Sequence, residues 1–211
     1  MDSPKNNIVV YTTITNNCDK LREFCKDPKV AYICFTDNID LKSDTWDIRY
    51  VQSLWHKDPK MQPDKWVGEY KYNIWIDSTI KPTSMPSTWI DYLQGNKIAT
   101  FSARDYQCAY KEAEVCKEAG LDKPQNIDAL IKIMRSLNYP EQNGLSACGV
   151  IVRENCFETI KFGVLWRDMV LSYSIRDQIS YNYSLWACNV NQSFLPGNIY
   201  NNDLITRRKK Q

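Results

Sequence analysis

The 211-residue chain has one histidine, His56, and only seven glycines. Zinc chemistry usually recruits histidines or paired cysteines, and none of the eight cysteines forms a CxxC pair, so a zinc hydrolase is disfavoured. The glycines spell neither GxGxxG nor GxxxxGK[ST], which removes the common phosphate cradles of dinucleotide and P-loop enzymes. A GxSxG nucleophile elbow is also missing. Nor does charge of one sign dominate: 27 Lys and Arg against 25 Asp and Glu leave a net +2. A nucleic-acid binder would carry a basic stripe, and the only basic block is Arg207-Arg208-Lys209-Lys210. No run approaches the roughly 20 apolar residues of a membrane span, so no membrane insertion is expected. The short apolar run within Met1–Thr15 reads as a strand, not a signal peptide. Cys18, Cys25, Cys34, Cys108, Cys116, Cys148, Cys156 and Cys188 are expected to be free, in a reducing, cytoplasmic compartment.

Apolar residues make up 43% of the chain and charged residues 25%, enough at this length for one domain with a genuine core. Residues 1–205 read as that domain, and 206–211 as a solvated basic tail or the start of a linker to a further domain. Strand and helix patterns alternate, which predicts an α/β fold with a mostly parallel sheet. Strands are expected at Ile8–Tyr11, Ala31–Phe35, Asp47–Val51, Tyr72–Ile76, Lys97–Phe101 and Val150–Val152. Asn17–Lys26 is polar and helix-competent, whereas 57–67, broken by Pro59 and Pro63, is ambiguous. Helices are expected at Tyr106–Glu118 and at 126–137, where Ile127, Leu130, Ile131, Met134 and Leu137 share a face. Another, running to Leu171, would be capped by Asn155 with Glu158.

Ligands of open α/β sheets collect outside the carboxyl ends of the strands. Three such ends are polar here: Thr12-Thr13-Ile14-Thr15, Thr36-Asp37-Asn38 and Asp77-Ser78-Thr79. Asp77 emerges from the apolar run Asn73-Ile74-Trp75-Ile76, and a desolvated carboxylate there needs a cation or strong hydrogen bonds. Mg²⁺ or Mn²⁺ shared with a diphosphate would serve, and so would a plain turn cap. Lys57, Lys60 and Lys65 could neutralise a diphosphate or line a solvated helix face. Ser174–Tyr181 brings Asp177 and Gln178 toward a cleft, although Arg176 beside Asp177 also reads as an ordinary ion pair.

Taken in order, Val10-Tyr11-Thr12-Thr13-Ile14, Cys34-Phe35-Thr36-Asp37, Lys60-Met61-Gln62-Pro63, Ile74-Trp75-Ile76-Asp77-Ser78, Asn143-Gly144-Leu145 to Val152-Arg153, and Ser174 to Tyr181 resemble one family. It is the glycosyltransferase-like domain family of plants, bacteria and viruses. More narrowly, the chain resembles the N-terminal glycosyltransferase domain of a chlorovirus protein that builds capsid glycans. The resemblance implies a GT-A-like domain with a Rossmann-like nucleotide-binding half, moving a hexose or 6-deoxyhexose from a UDP-sugar donor to a glycan acceptor. It places the work in viral capsid glycosylation, in the host cytoplasm. Carried over, Thr12, Thr13, Thr15 and Asp37 would meet the nucleoside, and Lys57 and Lys60 the diphosphate. Asp77 and Thr79 stand at the Asp-x-Asp place that holds Mn²⁺ or Mg²⁺, with Thr79 replacing the second aspartate. Asp177 and Gln178 would act catalytically, in a way that suits retention rather better than inversion. The alternative is a non-catalytic nucleotide- or glycan-binding module of a larger protein.

Overall fold

β1 (Ile8–Ile14) and β2 (Val30–Thr36) are rich in β-branched and aromatic residues and buried on both faces, as central parallel strands require. The computed structural model describes residues 7–103 and 107–208. After β3 (Asp47–Tyr50) and β4 (Tyr72–Ile76), the short β5 (Ile80–Pro82) leaves the main sheet. β6 (Ile98–Ser102), β7 (Ser146–Glu154) and β8 (Gln192–Asn198) return to it, giving the order β3-β2-β1-β4-β7-β6-β8. Among these seven strands only β7 runs antiparallel to its neighbours. The α/β fold with a mostly parallel central sheet is therefore the one the sequence predicts. β5 pairs instead with β9 (Ile205–Arg207) in a two-stranded ribbon.

One sheet face packs Val10, Ile14, Ile74, Ile76, Val150 and Val152 against Trp46, Trp89 and Leu195. The other packs Val9, Tyr11, Trp75 and Ile151 against Met61, Phe162, Trp166 and Tyr181. This second face is covered by α1 (Asp58–Met61), α2 (Pro63–Val67), α5 (Phe157–Ser172) and α6 (Asp177–Cys188). The ambiguous 57–67 stretch is thus two short helices, each with proline in its first turn, where a missing N–H costs nothing. α3 (Ala109–Glu118) and α4 (Pro124–Ser136) build a third cluster around Ile127, Leu130 and Met134 with Ile179 and Tyr183 of α6. Ile131 packs against that cluster, whereas Leu137 lies beyond the helix and is exposed. Tyr106, the expected start of α3, is outside the described residues. All eight cysteines are free, and no helix among the described residues is long and apolar enough to cross a membrane.

Three local expectations are corrected. Residues 17–26 form no helix. Asn16 and Asn17 adopt left-handed φ values of 53° and 50°, and the segment's backbone is satisfied by side chains: Trp46 Nε1 donates to the Arg22 carbonyl at 2.9 Å, and Thr45 Oγ1 to that of Phe24 at 3.2 Å. The cap of α5 is a Cys156–Thr159 box, because Asn155 is committed to the Lys71 and Gly68 carbonyls. The expected tail boundary at 205/206 falls inside β9, and Arg208 remains attached, its N–H donating to the Thr79 carbonyl at 3.0 Å. Lys209–Gln211 lie outside the described residues.

Candidate active site

β1, β2 and β3 step outward in one direction, and the next parallel strand, β4, is laid down on the other side of β1. The chain order therefore switches between β1 and β4, and the crevice opened by their diverging carboxyl ends is the ligand site such sheets provide. Thr13–Thr15 form one lip of it and Asp77 the other.

The two-residue period of β4 puts Trp75 and Asp77 on one face. Trp75 Nε1 donates to Asp77 Oδ1 at 2.9 Å. Lys60 Nζ lies 3.7 Å from the same oxygen and 2.7 Å from Asp177 Oδ2. Lys57 Nζ lies 3.1 Å from Asp177 Oδ1 and also donates to the Ile175 carbonyl. The indoles of Trp75 and Trp166 flank the Lys60 ammonium at 5.7 and 5.8 Å, a cation–π arrangement. Two lysines and two aspartates from three distant segments thus form one charge cluster.

Its scaffold is specific. Asp177 opens α6, where the peptide dipoles favour negative charge, and its carbonyl accepts from Trp166 Nε1 of α5 at 2.9 Å. α1 reaches the cluster because α5 has no side chain at Gly163: a Cβ there would stand 2.2 Å from the Met61 carbonyl oxygen.

Burial alone would push the Asp177 carboxyl up, but the charges and hydrogen bonds of Lys60 and Lys57 overcome it and hold it well below the usual carboxylate range. For Lys60 burial pulls down, and Asp177 and Asp77 more than compensate, so its ammonium is held more firmly than usual. The neighbouring His56 is shifted down, by burial first and then by the Lys57 charge, which keeps its ring neutral at pH 7. Burial also drives the Cys148 thiol up, so it is inert beside these charges.

The remaining expected residues are less tightly gathered. Thr13 donates to the His56 carbonyl at 2.7 Å, tying β1 to the loop before α1. Thr15 is buried, and its carbonyl accepts from Cys18 N. Both Asp37 oxygens accept from Asn16 N at 3.0 Å, bridging the ends of β1 and β2. Thr12 is fully enclosed, its hydroxyl without a partner, so it offers no surface to the nucleoside it was expected to meet. Gln178 is half-buried in the first turn of α6.

Among the described residues of this corner, Asp77 is the carboxylate a divalent cation would find. Asp77 Oδ1 is taken by Trp75, whereas Oδ2 faces Gly149, where an added Cβ would crowd it at 3.2 Å. Thr79 is 6% exposed, and its carbonyl is engaged by Arg22 and Arg208. Among the described residues no three His, Cys, Asp or Glu side chains converge as a metal centre. The set fits a hard cation that brings most of its ligands with it, as waters and diphosphate oxygens, and holds on through Asp77.

The sequence reading missed Trp75, Trp166, Gly149 and His56. Trp75 was available from strand alternation, two residues before Asp77, and His56 from its place directly before Lys57; Trp166 and Gly149 become neighbours only through the fold.

A switch point with acidic and basic groups at the strand ends of a mostly parallel sheet is the ligand site of an open α/β domain. The profile of the family described as "TOD1/MUCI70, glycosyltransferase-like domain" matches residues 46–205, and the chain belongs to that family. Among solved structures, a WbbM bifunctional glycosyltransferase in its apo form is similar over 93% of this chain and 39% of its own, at a TM-score of 0.54 and 11% identity. The glycosyltransferase GlyE of Streptococcus pneumoniae TIGR4 is similar over 90% of this chain and 45% of its own, at a TM-score of 0.48 and 14% identity. The chain thus spans less than half the length of these structures. No curated protein sequence matches it.

Proposed function

We propose that this domain transfers a hexose or 6-deoxyhexose from a UDP-sugar to a glycan hydroxyl. The observation that carries the reading is the Lys57–Asp177–Lys60–Asp77 cluster at the switch point. A departing diphosphate needs positive charge, and Lys57 and Lys60 are the cations poised to offer it. Asp77 Oδ2 would hold Mn²⁺ or Mg²⁺, which when bound supplies further stabilisation of the charge developing on the leaving group. Without donor, both lysines are engaged by Asp177, so an arriving diphosphate competes with that carboxylate for them. The Asp177 carboxylate, once the diphosphate draws those lysines, is assigned to electrostatic support of the positively charged sugar, the role that goes with retention. Trp75 and Trp166 keep water from the Lys60 side of the cluster and strengthen its charges.

The test is UDP release from a panel of UDP-hexoses and UDP-6-deoxyhexoses, with oligosaccharide acceptors. Asp177→Asn should lower turnover by a factor of about 100 or more while leaving UDP binding at least as tight, because its lysines are freed. Unchanged turnover would remove Asp177 from the mechanism. Wild-type protein that binds UDP and releases none from any donor would favour the non-catalytic module.

A further inference from the structure

Tyr200 is 66% exposed, yet its backbone N–H and its phenol are both hydrogen-bonded. It sits on a turn closed by reciprocal backbone hydrogen bonds between Asn198 and Asn201, both 3.1 Å. Asn198 Oδ1 also accepts from Tyr200 N at 3.0 Å. Arg207 of β9 fixes the ring from one side: its guanidinium carbon is 5.4 Å from the ring centroid, and its NH1 donates to the phenol oxygen at 3.2 Å. A lone exposed aromatic is ordinary on a protein surface. An exposed one hydrogen-bonded through both its backbone and its phenol, on a turn joined to the Asp77 corner, offers a platform for a ligand.

The placement is fixed by three connections. Ile199, the preceding residue, is buried, and its Cδ1 lies 2.6 Å from the point where a Gly149 Cβ would stand; Asp77 Oδ2 lies 3.2 Å from that same point. Arg207 pairs with Ile80, whose N–H donates to the Asp77 carbonyl at 2.8 Å. Arg208 donates to the Thr79 carbonyl and to Asp19, and Asp19 accepts from Ser78. The Tyr200 turn and the β5–β9 ribbon are thus built onto the Asp77-Ser78-Thr79 corner.

We infer that Tyr200 and Arg207 form a carbohydrate subsite of the acceptor glycan; this rests on the transferase reading above. The C–H face of a pyranose packs on an aromatic ring, and its ring hydroxyls accept from a guanidinium, so the pair matches both sides of the sugar's chemistry. Because Arg207 already restrains the ring, less side-chain freedom is lost on binding.

The probe is an array of defined hexose and 6-deoxyhexose oligosaccharides, read with and without UDP, alongside calorimetric UDP titration of each protein. Wild-type protein should capture at least one glycan. Tyr200→Ala should weaken that capture at least tenfold, and Tyr200→Trp should keep it within threefold, with UDP binding and thermal midpoint unchanged in both. Equal capture by Tyr200→Ala, or no capture by a wild-type protein that binds UDP, overturns the subsite alone. Failure of the wild type to bind UDP would instead defeat the donor reading.

Discussion

Lys60 is the residue on which the site's electrostatics turn. It is 6% exposed, shared between two carboxylates, and enclosed by two indoles. Removing one partner of a buried ion pair leaves the other uncompensated, at a cost of about 3–5 kcal/mol. Lys60→Met leaves Asp177 with Lys57 alone, so it should lose up to that much stability in urea unfolding, and Asp177→Leu should cost less on the Lys60→Met background than in the wild type; an additive double mutant would contradict the coupling. Acid should expose the same group. Asp177 has a depressed native value, so its stabilisation is complete above the ordinary 3.8 and is lost as pH falls below that toward the native value. His56, also shifted down, resists a proton that the unfolded chain accepts from 6.5 downward, so it too makes stability fall with acid, starting earlier. Urea midpoints should therefore be flat between about pH 6.5 and 9, decline gently below that range, then drop steeply below about pH 4, the steep limb shrinking in Asp177→Asn. A midpoint indifferent to acid would contradict this. At this scale part of the site was legible: Asp77 follows an apolar strand, and alternation puts Trp75 beside it. Nothing in one sequence says that Lys57 and Asp177, 120 positions apart, share a contact.

Among the elements, the contact between α1 and α5 matters most for chemistry, because α1 carries Lys60 and directly follows Lys57. It is made at Gly163, whose absent Cβ leaves room for the Met61 carbonyl. Gly163→Ala drives a methyl into backbone and not into a yielding side-chain tip. It should cost about 1–3 kcal/mol and weaken UDP binding by displacing both lysines. Full stability with unaltered UDP affinity would show that α1 has another way to dock. The elements read correctly from sequence were those whose own pattern decides them, such as β4 and α4. Those that failed were decided elsewhere. Residues 17–26 have helix-competent composition, but Trp46 and Thr45 take their backbone groups. The α5 cap moved from Asn155 to Cys156 because Asn155 is needed at Lys71 and Gly68. β5 and β9 are three residues each, too short to show a period.

At the scale of the molecule, the order of the strands makes the site. The reversal between β1 and β4 opens the crevice, β7 inserts antiparallel to seal its far side through the Gly149 carbonyl and Asp77 N at 2.8 Å, and the β5–β9 ribbon extends from the same corner. Alternating strand and helix patterns made the parallel sheet legible, whereas the antiparallel insertion of β7 left no mark, since a fully buried strand reads the same in either direction. The central claim is that this crevice takes a nucleoside diphosphate through Asp77 and the two lysines. It is tested most directly by calorimetric titration of UDP in Mn²⁺ and then in EDTA, with wild-type protein and Asp77→Ala. The account predicts binding in Mn²⁺ that weakens at least tenfold both on chelation and in the variant; no UDP binding by the wild type in either condition would contradict it.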